Sequence, residues 1–180
     1  MLKVYVPESE QYNSETNEFY TIKEQTLMLE HSLLSISKWE SKWGKPFISN
    51  KPKTVKETID YIRCMTINKN VDPLIYNNMS AKTIQEVNSY IEAPMTATWF
   101  SKEAGGKVSS EAITSELIYY WMVAHGIPFE CEKWHLNRLL TLIKVCNLKN
   151  QPEKKMSKNA IFSQQRALNE ARRKKLHTRG

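Results

Sequence analysis

His125, Cys131, His135 and Cys146, all within the last third of the sequence, are the side chains best suited to chemistry. All four are zinc-ligand types, and Cys131 and His135 stand four apart, a spacing that brings two side chains to one face of a helix. The same pair reads as a thiolate and an imidazole with Glu132 adjacent, the beginning of a nucleophilic site. The surrounding sequence completes neither reading. The spacing matches no familiar structural zinc pattern, and Cys146 falls on an apolar stripe, where free cysteine is commonly buried. A nucleophile also needs an orienting third group and a cleft, and the chain contains no Walker, GxGxxG or GxSxG sequence. The expectation is a packed core in place of an active site, with no enzymatic activity, no cofactor and no metal.

Residues 110–147, SEAITSELIYYWMVAHGIPFECEKWHLNRLLTLIKVCN, must position these groups. They read as two apolar helices folded back on one another through Gly126-Ile127-Pro128. The first presents Ile113, Leu117, Tyr120, Trp121 and Ala124. The second presents Leu136, Leu139, Leu140, Ile143 and Cys146, widened by Trp134, Leu142 and Val145, and so apolar enough to be central. Lys133, Asn137, Thr141 and Lys144 make its narrow polar line. Arg138 stands beside the apolar stripe, with Glu116 as an expected ion-pair partner.

Shorter elements precede this pair. Leu2-Lys3-Val4-Tyr5-Val6 alternates with period two and predicts a strand. A polar connection over 7–17 leads to Glu18-Phe19-Tyr20-Thr21-Ile22 and Leu27-Met28-Leu29-Glu30, giving a small sheet of two or three strands. Ser32 caps a predicted helix over 33–43 with Ile36, Trp39 and Trp43 on one face, ended by Gly44 and Pro46. Trp39 and Trp43, flanked by Lys38 and Lys42, read as core, although an exposed pair would anchor an interface. Thr54 and Glu57 hold capping-box spacing before Val55, Ile59, Ile62 and Met65. Val71-Asp72-Pro73 opens a short turn. Ser80 begins a further helix with Ile84, Val87 and Ile91 inward and Pro94 at its limit. Residues 95–108 read as a long mobile loop on which Trp99 and Phe100 can dock.

Charge is distributed unevenly. The net charge is +7, yet residues 149–180 hold ten Lys or Arg against two acids, while the rest holds 16 against 17. A near-neutral body therefore carries a cationic tail, which concerns partners and not the fold. Residues 151–155 read as a linker, and Ser157 caps a predicted helix over 158–176. Its apolar residues, Ile161, Phe162, Leu168 and Leu176, are too few to hold it without a partner, since isolated helices are marginal in water. Phe162, Arg166, Arg172, Arg173, Lys174 and Lys175 are the candidate partner-binding residues. Sequence-blind nucleic-acid binding is one use for such a tail, and docking to a protein is another. Aromatic residues suited to base stacking are scarce there, which argues against specific RNA reading. Three cysteines, Cys64, Cys131 and Cys146, without CxxC spacing fit reduced thiols. No uninterrupted apolar run approaches a membrane span, and the first residues lack the apolar core of a signal peptide.

Several runs together resemble one family. EHSLLSISKWESKWGKPF (30–47), YIRCM (61–65), EAPMTAT (92–98), ITSELIYYWM (113–122), PFECEKWHLNRLLTLIKVCN (128–147) and RALNEARRKK (166–175) are similar to small tail-module proteins of tailed bacteriophages. These are generally described as tail assembly chaperones or as uncharacterised tail-module proteins. The resemblance covers most of the chain beyond the first strands and brings no functional residues with it. It implies an accessory that binds the tape measure protein, or other tail proteins, during tail morphogenesis in the host cytoplasm, as a monomer or an oligomer. A frameshifted longer form occurs in some members. Two alternatives stay open: a structural tail or head-completion protein of the virion, and a nucleic-acid-binding module acting through the tail. The expected architecture is α+β and predominantly helical. A compact domain with a small N-terminal antiparallel sheet occupies 1–148, and a basic tail, helical or partly disordered, occupies 149–180.

Overall fold

The computed structural model describes residues 1–14, 17–49, 51–100, 112–150 and 158–176. The fold is α+β and mostly helical, with the strands gathered at the N-terminus. It divides into two compact units, Met1–Asn147 and Leu148–Gly180. No helix among the described residues is long and apolar enough to cross a membrane.

Strand β1 (Leu2–Val6) pairs antiparallel with β4 (Gln25–Leu29), and β2 (Ser9–Asn13) with β3 (Glu18–Ile22). The connection expected over 7–17 thus contains a strand of its own. Ser-Glu-Gln-Tyr-Asn is poor in β-formers, so its strand comes from pairing with β3 and not from propensity. The two ladders keep one register: Val6 faces Gln25, and Ser9 resumes opposite Ile22 without a slip. The break between them holds Pro7, which has no N–H to give a ladder. One long ribbon results, and its buried face changes at the break. Val4, Val6, Leu27 and Leu29 are buried before it, Ile22 after it.

Helix α1 (Leu33–Trp43) begins at Ser32, whose hydroxyl accepts from Ser35 N while Ser35 Oγ accepts from Ser32 N. It ends where Gly44 adopts φ 60°, a left-handed conformation that glycine takes without a Cβ penalty. Leu33, Ile36 and Trp39 face inward. Helix α2 (Val55–Met65) has the expected Thr54–Glu57 capping box. Its buried side chains are Glu57, Asp60, Tyr61, Ile62 and Met65, whereas Val55, the first residue of the helix, faces solvent. The Trp39 indole donates to Glu57 O at 2.9 Å, Lys42–Asp60 joins the two helices at their rim, and Lys45, just past the end of α1, pairs with Glu57.

A 3-10 helix, Pro73–Asn78, precedes α3 (Ala81–Glu92), which is capped by Ser80. Val87 and Tyr90 are its buried residues, with Ile84 and Ile91 only half-buried. Trp99 is exposed and so undocked, while Phe100 lies under Lys144 at 4.1 Å. Residues 101–108 of the expected loop lie outside the described residues.

The expected helical hairpin takes a different form. Helix α4 (Ser115–Ala124) ends before Gly126, which has φ 63°. The chain then makes a 3-10 helix, Phe129–Lys133, and passes through Trp134 and His135 before α5 (Leu136–Asn150) begins. The inward face of α4 is Ser115, Ile118 and Met122. Leu117 and Trp121 are half-buried, Tyr120 and Ala124 are exposed, and Ile113 precedes the helix in a bridge to Ile48. Ile-Tyr-Tyr-Trp-Met-Val is apolar on every side, so periodicity cannot choose a face and the packing partner does. That partner is principally α1, which also packs on α2 and on the second 3-10 helix. Leu136, Leu139 and Ile143 of α5 complete the core, with Leu140 and Cys146 at its margin.

One buried carboxylate closes this arrangement. Glu40, on α1, accepts from Phe47 N at 2.7 Å and from Ser115 N, in the first turn of α4, at 2.8 Å. Glu40→Ala orphans two buried N–H donors and is expected to cost about 3 kcal/mol. Urea denaturation checks this; a loss below about 1 kcal/mol would show that the donors find other partners.

Candidate functional site

Helix α6 (Lys158–Leu176) carries all six candidate partner-binding residues. Ala, Gln, Leu, Arg and Lys favour helix, and Arg173, Lys174 and Lys175 in the last turn complement the negative end of the helix dipole. Arg166, Arg172, Arg173, Lys174 and Lys175 are exposed, and so are Phe162 (61%), Leu168 (52%) and Leu176 (68%). Leu168, Arg172 and Leu176 recur at i, i+4 and i+8, so aliphatic and cationic groups share one face. Arg166 and Arg173 lie together along one side of it. This is a surface suited to a partner with both apolar and acidic groups. Ser157 and the linker lie outside the described residues.

The residues singled out for chemistry are placed apart. Cys131 is buried in the second 3-10 helix, and His135 follows that helix in an isolated bridge to Ser32, so the two do not share a helix face. His135 Nε2 donates to Tyr90 O at 3.0 Å, and Nδ1 receives Asn137 N at 3.3 Å. Both ring nitrogens are therefore engaged, and neither serves Cys131. Glu132 accepts from Tyr119 Oη at 2.8 Å, and His125 Nε2 meets Asn147 Oδ1 at 2.9 Å. No group of three or more His, Cys, Asp or Glu converges as a metal site among the described residues. Arg138 stacks 4.1 Å over the Trp134 ring, and no ion pair joins it to Glu116 among the described residues. Asn137, on the expected polar line, donates to Ile91 O and Ala93 O and so holds the end of α3. Trp39, in the core, stacks at 6.1 Å on Trp43, which is half-buried at its margin.

Two groupings had no spacing signal. The first is a buried polar cluster where α1, α2 and α5 begin or cross. His31 Nδ1 hydrogen-bonds to Tyr61 Oη, Ser35 Oγ lies 3.3 Å from the same hydroxyl, and the rings of His31 and His135 meet edge-on at 5.0 Å. Leu136 N donates to His31 O at 2.7 Å, fixing the start of α5. Burial, assisted by His135, pushes the His31 imidazole down to about 3. Burial also raises the Tyr61 phenol. Near neutrality His31 is thus unprotonated and Tyr61 protonated, a pair that positions chain segments and is too far from neutral for acid–base work.

The second grouping is a cleft of about 490 Å³ lined by Trp39, Lys45, Lys51, Lys53, Thr54 and Glu57 among others. Lys53 donates to Phe47 O at 2.9 Å and lies 4.0 Å over the Phe47 ring; burial lowers its affinity for a proton. Lys45, followed by the Thr54 backbone, draws Glu57 down to about 2. The repeated Lys-Pro of Lys45-Pro46 and Lys51-Pro52 was the available sequence signal for this cleft. The chain matches no protein-family model, no curated protein and no solved structure.

His31 makes stability depend on pH in a defined window. Its pKa is lower folded than unfolded, so the native state gains stability above the unfolded value of about 6.5 and loses it as pH falls toward about 3. Between pH 7 and pH 5 this amounts to about 2 kcal/mol. His31→Gln is expected to be less stable at pH 7 but to lose about 2 kcal/mol less on that acidification. Parallel stability–pH curves for the two proteins would show that His31 titrates normally when folded.

Proposed function

We propose that this chain is a non-enzymatic assembly factor of a tailed bacteriophage. It binds the tape measure protein, or another tail protein, while the tail is built in the host cytoplasm, and α6 is its docking element. The observation that carries the reading is α6 itself: a nineteen-residue helix with exposed Phe162, Leu168 and Leu176 among exposed cations. Such a helix gains most by laying its mixed face on another protein, because each large apolar side chain buried contributes about 1.5–3 kcal/mol. The runs at 30–47, 61–65, 92–98, 113–122, 128–147 and 166–175, which resemble tail assembly chaperones, supply the identity of the partner.

A second reading rests on the four adjacent cations Arg172, Arg173, Lys174 and Lys175, which suit phosphates. Phe162 is the only described aromatic of α6, so such binding would follow charge and ignore base identity.

Co-expression with the tape measure protein of the same phage tests the first reading. The full chain is expected to co-purify with it, and deletion of 150–180 to weaken the complex at least about tenfold. Phe162→Ser with Leu168→Ser should do nearly as much. Absence of a complex with the full chain sinks the tape measure reading. A complex indifferent to the deletion removes α6 from it. A low-salt gel shift lost on changing 172–175 to alanine would move the function to nucleic acid.

A further inference from the structure

The tip of the N-terminal ribbon offers a surface opposite in sign to α6. By strand alternation, the outward face of β2 and β3 carries Glu10, Tyr12, Phe19 and Thr21, all exposed. Tyr12 (53% exposed) and Phe19 (70%) stand directly across the ladder with ring centroids 5.0 Å apart. Glu18 falls on the opposite face by the same alternation, and Glu8 and Glu24, the latter accepting from Tyr5 Oη, are exposed beyond the end of the ladder; Lys23 is the single described cation between residues 7 and 24. An exposed aromatic pair beside Glu10 on an acid-rich ribbon is an interface anchor in type and in setting.

We propose that the cationic helix α6 of one copy of this chain lies on the acidic aromatic ribbon of a second copy. Charge complementarity selects this occupant: the ribbon's acids meet Arg166, Arg172 and Arg173, while Leu168 and Leu176 cover the rings. The dimensions agree. A five-residue strand is about 17 Å long, and the two helical turns from Leu168 to Leu176 span about 12 Å. An arginine laid over Tyr12 or Phe19 repeats the contact that Arg138 makes with Trp134 in the body. Because the two patches differ, the contact is heterologous, and copies join head to tail into rings or open chains. The inference does not rest on the phage reading. A partner that claims α6 would take these assemblies apart.

Sedimentation velocity of the full chain tests this. The average mass is expected to rise with protein concentration at about 50 mM salt, and association to weaken at least about tenfold at about 500 mM. Phe19→Ser, the ribbon variant E8K/E10K/E18K/E24K and the helix variant R172Q/R173Q/K174Q/K175Q should each be monomeric at low salt. Glutamine keeps α6 helical while removing its charge. Mixing the ribbon variant, whose α6 is intact, with the helix variant, whose ribbon is intact, should restore a closed one-to-one pair. A wild-type chain that stays monomeric at low salt overturns the proposal. So does association that survives the ribbon and Phe19 changes, or a mixture that fails to pair.

Discussion

The carboxylate of Glu40 is the constraint on which the arrangement of the body depends. One side chain on α1 satisfies two backbone donors distant in sequence, Phe47 N and Ser115 N. The second belongs to the first turn of α4, where a negative group is favoured by the unpaired N–H groups and the dipole. The bond therefore sets where α4 starts against α1. With that start fixed, Ile118 and Met122 turn inward and Tyr120 outward, although all three would bury equally well. A purely apolar contact would hold α4 against α1 without choosing its rotation.

The same logic recurs at the other junctions. Leu136 N on His31 O fixes the start of α5, and Asn137 on the carbonyls of Ile91 and Ala93 fixes the end of α3. Glu30 receives the Tyr90 phenol at 2.6 Å and the N-terminal ammonium at 2.9 Å, tying the end of β4 to α3 and to the chain start. Each bond adds little net stability beyond what it exchanges with water, but its loss strands a desolvated group. The hydrophobic core supplies the stability of the body, and these polar ties supply its register. His31 shows the cost: below about pH 6.5 its imidazole is kept neutral where water would protonate it.

What was legible in the sequence follows this division. Caps are local, so Ser32, Thr54 and Ser80 were readable, along with Gly44 as the end of α1. The positions of α5 that face the core were readable because polar residues interrupt it. The face of α4 was not, since its sequence is apolar all round and Glu40, seventy-five residues away, decides it. Strand β2 was missed because it owes its existence to β3. His31, Tyr61 and His135 lie 30 and 74 residues apart and share no spacing, so only the fold brings them together. The separation of body from tail, by contrast, is written in composition.

That separation bears on what α6 is for. In the helical part of the body several charged residues are paired: Lys42 with Asp60, Lys45 with Glu57, Arg63 with Asp60. In α6 six cations accompany one acid, Glu170, and the large apolar residues are exposed. A cationic helix of this kind repels itself and gains nothing from solvent that a shorter polar tail would not also gain. Its charge and its apolar residues make sense together only against a surface that offers both acids and apolar groups. Among the described residues of this chain, the ribbon tip is such a surface, and any protein that competes for α6 must offer the same combination. Acidic character joined to exposed apolar side chains is therefore the property by which α6 would select its partners.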